Sequence, residues 1–414
     1  MMKDLLFLCH RIPFPPNKGD KIRSYHLWKF LASRYRVHMG AFVDNPEDWQ
    51  YVDSIKEIIQ GECCFIGLNP KLAKARSLSG FLTGEALTFP YYKNRKMGRW
   101  VKQILREKPI KQIVVYSAAL CQYVLGEEAS AARRTVDFVD IDSAKWEQYA
   151  KETGGINRWI FNREAEKLLS AERKIASIFD ASLFVSTAEA DLFKTLAPEL
   201  TGKTDHWNNG VDSDFFSPKR EYVNPYPPDQ IPMVFTGAMD YRPNIDAVVW
   251  FANEILPGIR EQVKKSQFII AGGGATPEVQ RLGQLPGVTV TGGVADMRPY
   301  IAHAAVSVAP LRLARGVQNK VLEAMAMARP VVATSQAIEG IHIDPGMEKW
   351  VCDQPEGFAR LVLELLGENR EPGGGDTQLA ADVGEAGYRC VLKKYKWEDN
   401  LKRALRALEP DLPC

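Results

Sequence analysis

The feature of this chain that most constrains its fold is a repeated alternation of short apolar runs with amphipathic segments. Runs rich in β-branched and aromatic residues predict buried strands, and apolar residues at helical spacing predict helices between them. This βαβ alternation favours parallel sheets covered by helices. In the first half, the predicted strands are residues 4–8, 36–43, 112–116, 135–139 and 181–186, and the predicted helices are residues 20–35, 46–60, 95–107, 157–178 and 187–196.

A stretch rich in Pro, Asn and Gly, residues 208–232, interrupts the alternation, which then begins again. A chain of 414 residues is also too long for one hydrophobic core. We therefore predict an α/β protein with two doubly wound parallel-sheet domains whose strand ends face each other across a cleft. The predicted strands of the second series are residues 232–236, 267–271, 287–291, 305–309 and 330–333.

The charge balance argues against a dedicated nucleic-acid binder. Lys and Arg total 53 and Asp and Glu total 51, so the chain has no overall basic field. Seven Cys without a C-x-x-C motif favour a reducing compartment. The start of the chain lacks the pattern of a signal peptide, and the longest run without a charged residue, residues 112–126, is too short to cross a bilayer. We expect a cytoplasmic protein that at most touches the inner face of a membrane.

The first predicted strand leads into a Pro-rich loop that begins at His10, and a helix follows from about Asp20. Gly19 lets a ligand approach the backbone closely, and the free amides of a helix start favour an anion. The loop suits a phosphate, and it equally suits an ordinary turn between strand and helix. It contains neither a dinucleotide fingerprint nor a P-loop.

Three acids, Asp137, Asp140 and Asp142, lie at the end of a predicted strand. Open α/β sheets carry their chemistry at such strand ends, and Asp140 with Asp142 matches the D-x-D pattern that some sugar transferases use for a divalent metal. The alternative is that Asp142 caps the following helix.

Residues 309–332 form the most informative segment, in which a strand, a basic loop and a helix from about Val317 to Ala328 follow one another. The helix start presents the amides of Gly316, Val317 and Gln318 to an anion.

Lys320 and Glu323 follow one turn further along this helix. A carboxylate at Glu323 could accept both hydroxyls of a ribose, and the alternative is an i, i+3 ion pair between the two side chains on a solvated helix.

Together these residues resemble the GT-B glycosyltransferases of family 4, also called group 1, and the resemblance spans nearly the whole chain. The opening residues 10–27 and the block 139–146 further resemble sugar transferases of bacterial exopolysaccharide clusters. The matching motifs, in chain order, are Asn209–Asp212, Phe235–Gly237, Ile270–Gly274, the run 315–332 and Tyr395–Trp397.

The resemblance implies a retaining transfer of a sugar from a nucleotide-diphosphate sugar to a hydroxyl of a polysaccharide or its lipid-linked precursor. It needs no metal and no other cofactor. It also implies an acceptor-side domain over residues 1–212, a nucleotide-sugar domain over residues 213–394, and a final helix over residues 395–414 that packs back on the first domain.

The roles that the resemblance implies fall on both domains. In the second domain the diphosphate contacts fall to Arg315, Lys320 and the amides of Gly316, Val317 and Gln318, and the ribose falls to Glu323. Gly237 belongs to the motif that opens this domain. In the first domain Gly19 and Asp20 face the donor, and Asp140 is the candidate catalytic carboxylate near the acceptor hydroxyl.

The sequence departs from the family pattern at three positions. Arg315 stands where the family has a Glu that contacts the donor sugar, and Ala238 and Pro243 stand where it has an Arg and a Lys for the diphosphate. Arg315, Lys320 and Arg242 could restore the positive charge. The departures keep two alternatives open: a silent sugar-nucleotide binder, and an epimerase or hydrolase on the same fold.

Residues 71–111 hold a local excess of basic residues inside a nearly neutral chain. Eleven Lys or Arg face two acids there, and the basic residues alternate with aromatic rings. Such a segment suits an anionic membrane surface. The alternatives are a solvated helix and an RNA-binding segment, although no recognised RNA-binding module accompanies the charge. The aromatic residues are Phe81, Phe89, Tyr91, Tyr92 and Trp100.

Overall fold

The computed structural model of the protein describes residues 2–16, 19–314, 316–367 and 377–410. The chain divides into two compact units. The first comprises Met1–Asn208 with Leu401–Cys414, and the second comprises Asn209–Asn400. The sequence places the boundaries after residues 212 and 394, so the units divide four residues earlier at the first boundary and six residues later at the second.

The first unit contains a parallel sheet of seven strands. Its strands are β1 (Lys3–Cys9), β2 (Tyr35–Val43), β3 (Cys63–Gly67), β4 (Gln112–Tyr116), β5 (Arg133–Val139), β6 (Ala181–Phe184) and β7 (Thr204–His206). Their order across the sheet is β3-β2-β1-β4-β5-β6-β7. Every neighbouring pair is parallel, which confirms a doubly wound arrangement.

The second unit contains a parallel sheet of five strands. Its strands are β8 (Ile231–Thr236), β9 (Ser266–Ala271), β10 (Val288–Gly292), β11 (Val306–Ala309) and β12 (Val331–Ala333). Their order is β10-β9-β8-β11-β12. All six residues of β8 are buried, because a central parallel strand carries helices on both faces.

Helices connect the strands of both units. Those of the first unit are α1 (Gly19–Ala32), α2 (Val52–Ile58), α3 (Pro70–Ser77), α4 (Ser79–Thr83), α5 (Thr88–Tyr92), α6 (Arg95–Glu107), α7 (Asp142–Lys151), α8 (Gly155–Ile178) and α9 (Thr187–Leu196). Those that begin in the second unit are α10 (Arg242–Trp250), α11 (Leu256–Gln262), α12 (Pro277–Leu282), α13 (Arg298–Ala302), α14 (Asn319–Ala326), α15 (Ser335–Ile338), α16 (Pro355–Leu366), α17 (Gln378–Lys394) and α18 (Trp397–Leu408).

All ten predicted strands are present, and two further strands were not predicted. The additional strands, β3 and β7, are the two edges of the first sheet. Strand β7 has only three residues, too few to show a periodic pattern. The predicted helix over 46–60 is instead a 3₁₀ turn, Pro46–Tyr51, followed by α2.

Among the helices that the structure describes, none has the length and apolar character needed to span a membrane.

Candidate functional site

In the second unit, the candidate site residues lie where the strand order reverses between β8 and β11. Ligands of open α/β sheets bind at this point, beyond the carboxyl ends of the strands. Gly237 directly follows β8, and the loop after β11 leads into helix α14. Gly237, Lys320 and Glu323 therefore belong to one region of this unit, as the sequence motifs indicate.

Gly237 is a position where only glycine fits. Its φ is +154°, and a Cβ atom there would lie 2.7 Å from Nδ2 of Asn244 and 3.3 Å from Nζ of Lys320. A side chain at this position would displace the lysine ammonium. The glycine therefore keeps the space beside that ammonium open.

The Lys320 ammonium is held by two neighbours. It donates a hydrogen bond of 2.6 Å to Oδ1 of Asn244 and lies 4.0 Å from the centroid of the Phe235 ring. Nδ2 of the buried Asn244 donates in turn to the carbonyl oxygen of Ala238 at 2.8 Å. Both neighbours are uncharged, so the cation has no ionised partner in direct contact among the described residues.

Burial shifts the pKa values of Lys320 and Glu323 in opposite directions. Desolvation lowers the pKa of the lysine and raises that of the glutamic acid, and the charge of each partly offsets the shift of the other. The expected alternative of a direct ion pair is absent, because the ammonium turns to Asn244 instead. Within the described part of the chain, the Glu323 carboxylate accepts no hydrogen bond. Two groups whose charged forms are poorly solvated are typical of a ligand site.

Helix α14 begins later than the sequence predicts. Gln318 is extended, with φ −85° and ψ 100°, and the helix runs over Asn319–Ala326 instead of 317–328. The first free amides of the helix therefore belong to Asn319 and Lys320, and those of Gly316, Val317 and Gln318 precede it. A short loop thus lies between Gly316 and the helix start.

Gly316 has a structural reason to be glycine. Its φ is +67°, and its carbonyl lies close under Gly340, where a Cβ atom would come within 2.8 Å of it. Arg315, the residue before it, lies outside the described residues.

Asn244 is a site residue that sequence reasoning missed. Arg242, which was expected to supply positive charge, is exposed as the first residue of α10. Asn244, two residues further, is the residue that contacts Lys320. A lone Asn after a Pro carries no chemical signature, so only its burial and contacts could identify it.

In the first unit, the residues at the carboxyl end of β1 form an ion-pair cluster. Arg11 contacts Asp20 at 2.5 Å and Asp44 at 2.7 Å, and Nε2 of His10 lies 3.2 Å from Asp20. The His10 ring stacks on Tyr116 with centroids 5.6 Å apart.

This cluster keeps Asp20 ionised. Burial alone would raise the pKa of Asp20, but hydrogen bonding to His10 and the charge of Arg11 together lower it well below its usual range. Asp20 is thus a partnered carboxylate at the start of α1, and Gly19 opens that helix on the exposed surface. His10 is a second residue that sequence reasoning missed, since no role was assigned to it.

The three acids near the end of β5 have different environments. Asp137 is fully buried and is bound by the guanidinium of Arg23 at 3.0 and 3.1 Å and by Nε1 of Trp207 at 3.1 Å. It is therefore a structural residue of the core and not a ligand-facing one. Asp142 is the first residue of α7 and does not cap it, because Ile141 occupies the cap position.

Asp140 remains the candidate of that group. It is half-buried in the turn before α7. Burial raises the pKa of Asp142, the charge of Asp140 raises it further, and His10 acts in the opposite direction. The structure thus brings Asp140, Asp142 and His10 into one region of the first unit. The preceding residue Val139 has φ +72°, a rare conformation for a β-branched residue that is concentrated at functional sites.

Among the described residues, no group of three or more His, Cys, Asp or Glu side chains could hold a metal ion. Asp140 and Asp142 of the D-x-D pattern therefore have no third side chain among those residues that is placed to bind a metal ion with them.

Residues 231–368 match the family model described as "Glycosyl transferases group 1". The match covers a third of the chain and lies in the second unit, over the strands and helices that carry Gly237, Lys320 and Glu323. No curated protein matches the chain by sequence.

Solved structures match the fold over almost the entire chain. HepE from Anabaena, in complex with UDP and glucose, is 14% identical with a TM-score of 0.64, covering 99% of this chain and 100% of that chain. WaaG, a glycosyltransferase involved in lipopolysaccharide biosynthesis, is 14% identical with a TM-score of 0.63, covering 98% and 99%. An E. coli structure described as trehalose-6-phosphate bound with UDP-2-fluoro glucose is 11% identical with a TM-score of 0.65, covering 100% of both.

At these identities the likeness to solved structures is one of fold. The two parallel sheets are those of the GT-B class, which confirms the predicted fold class. The fold and the group 1 domain together define a glycosyltransferase.

Proposed function

We propose that the protein is a retaining glycosyltransferase that moves a sugar from a nucleotide-diphosphate sugar to a hydroxyl of a polysaccharide or its lipid-linked precursor. One observation carries the proposal: Gly237, Lys320 and Glu323 lie at the strand reversal of a domain that matches group 1 glycosyltransferases. The fold neighbours solved with UDP or a UDP-sugar support a nucleotide-sugar donor. An exopolysaccharide product and an acceptor at the cytoplasmic face of a membrane are part of the proposal.

The reaction needs electrostatic stabilisation more than covalent chemistry. Breaking the glycosidic bond places negative charge on the departing diphosphate, and cations and amides fixed beside it stabilise that charge. We assign this role to the Lys320 ammonium, to the first amides of α14, and to Arg315 with the Gly316–Gln318 loop. Lys320 suits it because its present neighbours, Asn244 and Phe235, are uncharged.

We assign the ribose of the nucleotide to Glu323. Its carboxylate accepts no hydrogen bond from the described residues, and burial makes its ionised form costly until a donor arrives. The two hydroxyls of a ribose supply such donors. In the first unit we assign Asp20 and Gly19 to the donor and Asp140 to the acceptor hydroxyl. No metal and no further cofactor enters this proposal.

Glu323→Gln tests the assignment most directly. The amide keeps the shape but loses charge-assisted acceptance, so nucleotide diphosphate binding should weaken about tenfold to a hundredfold with the fold intact. Isothermal titration measures the affinity, and Glu261→Gln, an exposed position on α11 of the same unit, is the matched control. Unchanged affinity in the Glu323 variant would exclude the ribose role.

Turnover distinguishes the alternatives. A panel of nucleotide sugars is first screened for protection against thermal unfolding, since a ligand at 100 times its Kd adds about 2.7 kcal/mol. The protected donor is then incubated with and without saccharide acceptors. Transfer that requires an acceptor supports the proposal, whereas release of nucleotide or change of sugar without one indicates a hydrolase or epimerase. Tight binding without turnover across the panel indicates a silent binder.

A further inference from the structure

An apolar face stands out on the surface of the first unit. It consists of Leu72, Leu78 and Leu82 on α3, α4 and their junction, together with Ile156 and Trp159 in the first turns of α8. Leu82 is 91% exposed, and the other four are 56–69% exposed. They are five of the eleven large hydrophobic side chains exposed in the part of the chain that the structure describes.

Contacts to α8 hold this face in place. The ring of Phe81 stacks on Trp159 with centroids 6.0 Å apart and an interplanar angle of 8°, and Arg163 donates to the carbonyl oxygen of Gly80 at 2.7 Å. The buried carboxylate of Glu164 accepts hydrogen bonds from the amides of Leu87 and Thr88 at 2.7 and 3.1 Å. The leucines are therefore presented by a segment fixed to a 24-residue helix and not by a loose loop.

Basic residues outnumber acids in the segments that carry the apolar face. Residues 70–85 contain three basic side chains and one exposed acid, Glu85, and Arg158 lies between Ile156 and Trp159. Further along, Lys102 and Arg106 pair with Glu128. Four other cations of the same segment are exposed and form no ion pair with any described residue: Lys93, Arg95, Lys96 and Arg99.

The aromatic residues that the sequence indicated are not the ones that face solvent. Four of the five rings, those of Phe89, Tyr91, Tyr92 and Trp100, pack against the hydrophobic core of the first unit. Only Phe81 belongs to the surface, where it supports Trp159. The apolar contact must therefore come from the leucines of α3 and α4 and from α8, which lies outside residues 71–111.

We propose that this apolar face inserts into the headgroup region of an anionic lipid bilayer, with the exposed lysines and arginines of the same unit on the lipid phosphates. Exposed aliphatic and Trp side chains in segments where Lys and Arg outnumber acids match the two parts of an anionic interface, its apolar boundary and its negative charge. A lipid-linked acceptor gives this docking a purpose, and in that respect the inference rests on the proposed function. The docking itself is testable without any sugar transfer.

Sedimentation with vesicles tests the inference on the full chain. Vesicles of phosphatidylcholine with phosphatidylglycerol should bind the protein, and phosphatidylcholine alone should bind it much less. Leu78→Ser with Leu82→Ser should weaken binding by at least about tenfold, because each leucine loses its transfer into the apolar boundary. Val223→Ser, at an equally exposed position of the second unit (86% against 91% for Leu82), is the matched control and should not change binding.

Salt separates the two parts of the interaction. Raising the ionic strength should reduce vesicle binding by the wild type. At high ionic strength the leucine variant should bind almost no vesicles. Unchanged binding of the leucine variant, or an equal loss in Val223→Ser, would overturn the insertion, and equal binding to neutral vesicles would overturn the anionic partner. A change in oligomeric state of the leucine variant without a change in vesicle binding would assign the face to self-association instead.

Nucleotide binding is measured on the same variants. Because the leucines lie on the surface of the first unit, donor affinity and the thermal unfolding profile should be retained. Loss of vesicle binding with retained donor affinity supports docking independently of catalysis. A protein that binds vesicles but transfers no sugar leaves the docking standing and refutes the proposed function.

Discussion

The carboxyl edges of the two sheets use charged residues in opposite ways. At the edge of the first sheet, Arg11, Asp20 and Asp44 satisfy one another, and Arg23 with Asp137 is sealed in the core. At the edge of the second sheet, Lys320 rests on an amide oxygen and an aromatic ring, and Glu323 accepts no hydrogen bond from the described residues. Paired charges position a backbone, whereas charges with neutral neighbours are available to a ligand. The comparison predicts that mutations of the buried Arg23–Asp137 pair in the first unit cost stability, and that mutations of Lys320 and Glu323 in the second cost binding or turnover.

The largest effect is expected at Arg23. Its guanidinium binds Asp137 and the carbonyl oxygen of Trp207 and lies 3.5 Å from the centroid of the Trp207 ring. Arg23→Met leaves Asp137 as an uncompensated buried charge, so the free energy of unfolding should fall by about 3–5 kcal/mol. Urea denaturation measures the loss, and Arg34→Met, an exposed guanidinium over Phe30, should cost far less. Equal losses in the two variants would contradict the structural role of the buried pair.

The second effect concerns Lys320. Lys320→Met removes a cation whose contact strengthens as the diphosphate departs, so kcat should fall about a hundredfold, more than donor affinity does. The free energy of unfolding should not fall, because the variant no longer carries a half-buried ammonium whose charged form is poorly solvated. Steady-state kinetics measures the first effect and denaturation the second, with Lys264→Met as the exposed control on the same unit. A variant that lost stability but kept kcat would show that Lys320 has a structural role, like Arg23 and Asp137 in the first unit.

The smallest effect is a pH slope from Glu172 in the first unit. This buried carboxyl accepts hydrogen bonds from Ser143, and burial, with the charges of Asp142 and Glu189, raises its pKa from 4.5 to about 8. Between these values the folded protein keeps a proton that the unfolded chain has lost. The free energy of unfolding therefore falls as pH rises through this range, by at most about 1.4 kcal/mol per pH unit.

Glu172→Gln should remove this slope. Thermal or urea unfolding at pH 5, 6, 7 and 8 measures it, and Glu166→Gln, exposed on the same helix, should leave the slope as in the wild type. The same slope in the Glu172→Gln variant as in the wild type would show that the carboxyl is already ionised in the folded protein over this pH range.

Strand and helix placement followed from the sequence because it depends on local periodicity. Buried parallel strands are continuous apolar runs, and helices carry apolar residues at their own spacing, so α6 and α9 were predicted with the bounds observed. The edge strand β7 was missed because its three residues are too few to show such a pattern. Strand β3 has five residues, so its length does not explain why it was missed. The start of α14 was placed two residues too early, because the extended backbone of Gln318 depends on the packing of its loop.

The sequence by itself determined the fold class and the segment of the second domain that carries the candidate site. The run around Glu323 has its residues close together in the chain, and its order of glycine, cation and carboxylate is readable without coordinates. Only the tertiary structure decided which charges are partnered. Asp137 binds Arg23, which is 114 positions away in the sequence, and Lys320 binds Asn244, which is 76 positions away. The tertiary structure also packs the aromatic rings of residues 89–100 against the core and leaves Leu78 and Leu82 exposed. Solvation and pairing are set by neighbours that are distant in the chain, and no local pattern of residue types records them.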